Sequence, residues 1–157
     1  MVLRSIGEFI TEIMGGERPP ETFEDTDFRL AAAALLVHVA TTDNNFDESE
    51  RAKLRDVLAY RFELDPDETD RLIEAAIQAD REAVDLYQFT SVLNRAFDEE
   101  GRRRVVEMMF EVAYADGELS EFEDNIVWRA AELMHVPSRE RVTIRRQVRD
   151  DSAGDEN

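Results

Sequence analysis

Cysteine is absent from the 157-residue chain. That excludes a disulfide framework, a thiolate metal centre and a cysteine nucleophile, and it agrees with a reducing compartment. Histidine is nearly as scarce, with two in all, so no plausible nucleophile–base pairing can be picked out. Only 6 glycines and 4 prolines occur, and no Gly-rich phosphate loop is among them. Long apolar runs are missing too. The longest uncharged stretch, Leu30 to Thr42, has 13 residues, against the roughly 20 that span a bilayer. The N-terminal segment is interrupted by Glu8 and Glu12 and lacks a small-residue cleavage site, so it does not read as a signal peptide. A soluble cytoplasmic protein without stable membrane insertion is expected. Basic residues are outnumbered, 19 against 37 acidic, for a net charge of −18. Such a field opposes nucleic acid and anionic lipid and favours a cation or a basic protein partner.

What the chain does have is a repeat. AlaThrThrAsp43AsnAsnPheAspGluSerGlu50 aligns without a gap on AlaTyrAlaAsp116GlyGluLeuSerGluPheGlu123, each following an apolar helical run, LLVHV and MMFEV. Asp43 and Asp116 are 73 positions apart, as are Glu50 and Glu123, so a helix–acidic turn–helix unit occurs twice.

Periodicity around this unit predicts an all-α, single compact helical domain of about seven helices, preceded by an N-terminal amphipathic helix. Val2, Leu3, Ile6, Phe9, Ile10, Ile13 and Met14 share one face of residues 1–16, and Gly15-Gly16 and Pro19-Pro20 mark a linker over 17–25. With Arg4 facing Glu8 and Glu12, the arm lacks the basic polar face of a membrane-surface helix, so packing on its own core or on a second copy is expected. The helical domain covers 26–149. Its elements begin near Thr26, at Asp47, at Asp65-Pro66 with Leu72, Ile73, Ala76 and Ile77 inward, at Asp85 with Leu86, Phe89, Leu93 and Phe97 inward, at Arg103, at Ser120 and at Ser138. Residues 150–157 read as a disordered acidic tail.

The turns admit two readings. Ser120-x-x-Glu123 is a capping box and Asp47-x-x-Glu50 its counterpart, while Gly117 and Asn44 suit left-handed backbone just past a helix end. Cap chemistry thus explains most of the pattern. Asp43 and Asp116 resist it, because each puts a carboxylate at the negative end of a helix, costing roughly 0.3–1 kcal/mol unless compensated. An aspartate there, turn carbonyls and a glutamate seven residues on suit a hard divalent cation such as Ca2+ or Mg2+. The spacing is not that of an EF-hand: counted from Asp43, the sixth position is Glu48 and the twelfth Leu54.

Helix-Asp43-x6-Glu50-helix and helix-Asp116-Gly-x5-Glu123-helix, in LLVHVATTD and EVAYADGELSEFE, resemble the tellurite-resistance TerB-like family over about Phe28 to Val148. The resemblance implies an all-helical protein of bacterial stress-response systems, built around the duplicated acidic hairpin, with a relative fused to a J-domain co-chaperone. It also implies metal binding at Asp43, Glu50, Asp116 and Glu123. The first copy departs from the pattern, with Asn44 where the family has glycine.

Enzyme signatures are thin. Glu132-x-x-His135 is half of a di-iron motif, but offset by 73 its counterparts are Ala59 and Phe62, so the required second pair is missing. His38, between Val37 and Val39, reads as a boundary histidine. Arg139, Arg141, Arg145, Arg146 and Arg149 make the last helix basic and able to pair with the chain's own acidic surface. The expected function is a non-enzymatic, stress-associated protein-interaction module tuned by a divalent cation, acting on a protein partner of unknown identity or on a second copy through the N-terminal helix. The alternative is a metal-dependent enzyme using the acidic surface.

Overall fold

The computed structural model describes residues 27–42, 46–115 and 117–155. The N-terminal arm and linker, Asp43, Asn44 and Asp116 lie outside the described residues. Seven helices occur among those described: α1 (Phe28–Ala40), α2 (Glu48–Phe62), α3 (Pro66–Glu82), α4 (Tyr87–Ala96), α5 (Glu99–Ala113), α6 (Glu121–Leu133) and α7 (Ser138–Asp155). The fold is all-α, as expected.

Short polar side chains set the starts. Asp27, Asp47, Asp65, Asp98 and Ser120 each accept an amide N–H from the first turn of the helix they precede, satisfying donors that have no intrahelical partner. Asp65 and Ser120 complete capping boxes with Glu68 and Glu123, and Pro66 occupies the first turn of α3. Two helices stop on left-handed residues, Glu63 after α2 (φ 53°) and His135 after α6 (φ 61°). In each case the next amide closes the end, Leu64 N–H donating to the Ala59 carbonyl at 3.0 Å and Val136 N–H to that of Ala131 at 2.9 Å.

α1 is the hub. Leu30 to Val37, Val39 and Ala40 are all buried, because α2, α3, α4, α5 and α6 pack around it. The run Ala31–Ala34 permits this, since small side chains let several helices approach one axis. α5 is the second hub, touching α1, α2, α6 and α7.

The repeat is larger than a hairpin. α3 packs on α1 and α2 as α7 packs on α5 and α6, so the duplicated unit is three helices, with α4 joining the copies. Core positions correspond across 73 residues through Leu35 and Met108, Val37 and Phe110, and Leu54 and Val127. Past the end of the second helix the offset becomes 72, as in Leu64 and Val136, Leu72 and Ile144, and Ala76 and Val148. One residue is missing from the last turn of α6.

Several boundaries differ from the sequence reading. α5 starts at Glu99 instead of Arg103, because Asp98 caps it and Gly101 is accommodated within its first turn. It ends at Ala113, short of Asp116. Ser138 is the first residue of α7 and not its cap, and Ile77 is only partly buried. Residues 150–155 continue α7, where the sequence reading has an acidic tail over 150–157, and 156 and 157 lie outside the described residues. That composition is polar enough to read as coil, but the helix it extends is already anchored through Ile144 and Val148.

Candidate functional site

The two acidic turns leave their helices in the same way. Thr41 N–H donates to the Val37 carbonyl and Tyr114 N–H to that of Phe110, both at 2.9 Å. In the first copy the Thr41 and Thr42 hydroxyls also donate to the Val37 and His38 carbonyls, at 2.9 and 2.7 Å. In the second, Gly117 takes φ 89° and its N–H donates to the Tyr114 carbonyl at 2.9 Å. Only glycine adopts that backbone without strain, as its position past the helix end implied.

On the far side of each turn the glutamate is buried. Glu50 is 5% exposed and Glu123 7%, each in the first turn of its helix, where the helix dipole favours negative charge. Glu123 Oε1 accepts from Ser120 N–H and its own N–H donates to Ser120 Oγ, both at 3.1 Å. Glu50 N–H donates to Asp47 Oδ1 at 2.9 Å, and Ser49 Oγ donates to the same oxygen at 2.8 Å. These bonds, that from Glu50 foremost, hold the Asp47 carboxyl below its ordinary range. Of the four sequence-derived site residues, Glu50 and Glu123 therefore occupy matching buried places, while Asp43 and Asp116 lie outside the described residues. Among the described residues no three His, Asp or Glu side chains are grouped to hold a metal.

A second ionic centre was not legible in the sequence. Arg61 of α2 reaches α5 and donates to Glu107 at 2.6 Å and to Glu111. Arg104 also donates to Glu107, at 3.3 Å. Burial opposes charge on Arg61, but attraction to Glu111 and Glu107 outweighs it and raises its pKa. At Glu111 burial prevails over Arg61 and pushes the carboxyl above its ordinary range. One guanidinium shared by two carboxylates reconciles the two shifts, since the more buried carboxylate is under-compensated. The only sequence signal is the i, i+4 pair Glu107 and Glu111; their partner lies 46 and 50 residues away.

His38, half exposed, places Nδ1 2.8 Å from Asp80 Oδ1 on α3. It borders a cleft of about 160 Å³ also lined by Val84, Leu86 and Arg129. His135 is the left-handed residue that ends α6, which gives the Glu132-x-x-His135 spacing a structural origin. The basic helix pairs internally: Arg141 and Arg145 lie 3.8 and 3.4 Å from Asp124 of α6, and Glu140 lies 3.3 Å from Arg103 of α5. No helix among the described residues is long and apolar enough to cross a membrane.

The family model for tellurite resistance protein TerB matches residues 29–146. Comparison with curated proteins and with solved structures gave no match.

Proposed function

We propose, from the premise that the chain belongs to the tellurite resistance protein TerB family, that it is a non-enzymatic, stress-associated protein-interaction module whose acidic turns are tuned by a divalent cation. The observation that carries this reading is the burial of Glu50 and Glu123 at equivalent places beneath the two turns. A carboxylate taken out of water needs compensation, and a fold that buries one twice at the same place has built a feature there. The described part of the donor set is all oxygen, which fits a hard cation. Glu50 and Glu123, with Asp43 and Asp116, would hold it. Once bound, the cation would supply neutralising charge to a chain of net charge −18. The residues themselves position the turns: Asp47 and Ser120 fix the start of each second helix, and Gly117 lets the chain reverse.

The test is thermal melting with Ca2+ or Mg2+ in excess monovalent salt, which suppresses general screening of the net charge. The melting temperature of the parent should rise, because a ligand that binds only the folded state stabilises it. Asp116→Asn should respond much less, and Asp43→Asn should be affected less than Asp116→Asn because Asn44 departs from the family pattern. Equal responses of the parent and the double variant overturn the cation reading and leave the turns as cap structure. Metal-dependent turnover that Asp116→Asn abolishes overturns the non-enzymatic reading.

A further inference from the structure

The two repeats share a core but not a surface. In α6, Phe122, Ile126, Arg129 and Leu133 follow i, i+4, i+7, i+11 spacing and form one stripe. Their counterparts 73 residues earlier are Ser49, Lys53, Asp56 and Tyr60. The fold therefore does not require this stripe to be apolar. Phe122 nevertheless stands 70% exposed, Leu133 is at the limit of exposure, and Val84 and Tyr87, on the connection into α4 and in its first turn, are open as well.

The C-terminal half of this stripe lies beside α4. Asn94 of α4 donates Nδ2–H to the Leu133 carbonyl at 2.9 Å, and Tyr87 is two helical turns before Asn94 on the same side of α4. Arg129 lines the same cleft as Val84 and Leu86. Exposed apolar side chains beside a polar-rimmed cleft are a candidate interaction surface.

We propose that the occupant is this chain's own N-terminal segment, residues 1–16, docked as an amphipathic helix along the groove between α4 and α6. Its root is in the right place. The chain enters α1 at Phe28, whose ring packs on Phe97 with centroids 5.2 Å apart, and Phe97 is one turn beyond Asn94, the residue bonded to Leu133. Its dimensions agree: Val2 to Met14 as helix spans roughly 18 Å and Phe122 to Leu133 roughly 16 Å. Residues 15–26 can reach roughly 40 Å when extended, ample for either direction.

Absence of native cysteine makes the test clean. A cysteine introduced at Asn125, exposed beside the stripe, carries a benzophenone photocrosslinker in the full chain, prepared as an equal mixture of isotopically light and heavy protein. Cross-links to residues 1–16 within a single isotopic species are expected. They should be lost in Ile10→Asp, which breaks the apolar face of the arm, and in Phe122→Ser, which places the first repeat's residue on the groove. Both variants should keep the parent helical circular dichroism spectrum. Cross-links joining light to heavy chains would assign the groove to a second copy, and absence of any cross-link to residues 1–16 would leave it for another partner. Either result overturns the proposal, as does a yield unchanged by both substitutions.

Discussion

Glu50 and Glu123 are the same residue of one structural unit: each is the third residue of the helix after its acidic turn, and each is buried although its neighbours Glu48 and Glu121 are exposed. Residues two apart in a helix point in different directions, so the distinction is one of place.

Ser120→Ala removes the oxygen that accepts from Glu123 N–H and should cost about 1 kcal/mol. Asp47→Ala removes the equivalent acceptor for Glu50 and should cost a similar amount. Urea denaturation of the two variants and their combination measures both, and the losses should add if the repeats are independent at their caps.

Gly101→Ala sets two effects against each other. Alanine is the better helix former by about 1 kcal/mol, but a Cβ at Gly101 would lie 2.7 Å from the Phe97 Cβ. The obstructing atom is next to the backbone and cannot swing away, so overpacking wins. A net loss of about 1–3 kcal/mol is expected by denaturant titration. A stabilised variant would mean that the first turn of α5 can shift at little cost.

Acid should separate two carboxylates by sign. Asp47 lies below its ordinary value of 3.8, chiefly through the Glu50 amide, so its stabilising effect is present above that pH and is lost as pH falls through the lower folded-state value. Glu111 lies above its ordinary 4.5, chiefly through burial, so the folded state holds its proton longer and stability declines as pH rises from 4.5 through the folded value. Over roughly pH 3 to 7, the advantage of the parent over Asp47→Asn should shrink toward acid. Its stability relative to Glu111→Gln should be greatest there and fall as pH rises.

Asp124→Asn takes the shared partner from Arg141 and Arg145. All three groups are partly open to solvent, so the loss should be at most about 1 kcal/mol and should diminish in high salt. A salt-independent loss would point to packing of the arginine stems.

Much of the fold is legible in the sequence because its signals are local. Asp47, Asp65-Pro66 and Ser120 announce helix starts through groups one turn away, and Leu86, Phe89, Leu93 and Phe97 bury the face that their spacing implies. The start of α5 lies four residues before Arg103, because Asp98 caps the helix and Gly101 fits against Phe97, four residues earlier. The candidate site is legible in part: the acidic pattern marks Glu50 and Glu123, but cap glutamates are ordinarily solvated, and their burial depends on helices packed from elsewhere. The Arg61 centre shows in the sequence only as the i, i+4 pair Glu107 and Glu111, since Arg61 joins them only once α2 lies on α5.

The position of α1 also governs how the chain can be divided. Its flanks are covered by α2, α3 and α4 from one side of the sequence and by α5 and α6 from the other, so neither repeat encloses its own core. A fragment ending at Ala96 would leave the α5-facing side of an alanine-rich helix open to water, and a fragment beginning at Glu99 would lack the hub on which α5 and α6 rest. The two repeats are therefore expected to melt in one transition, and separately expressed halves should acquire cooperative structure only when mixed.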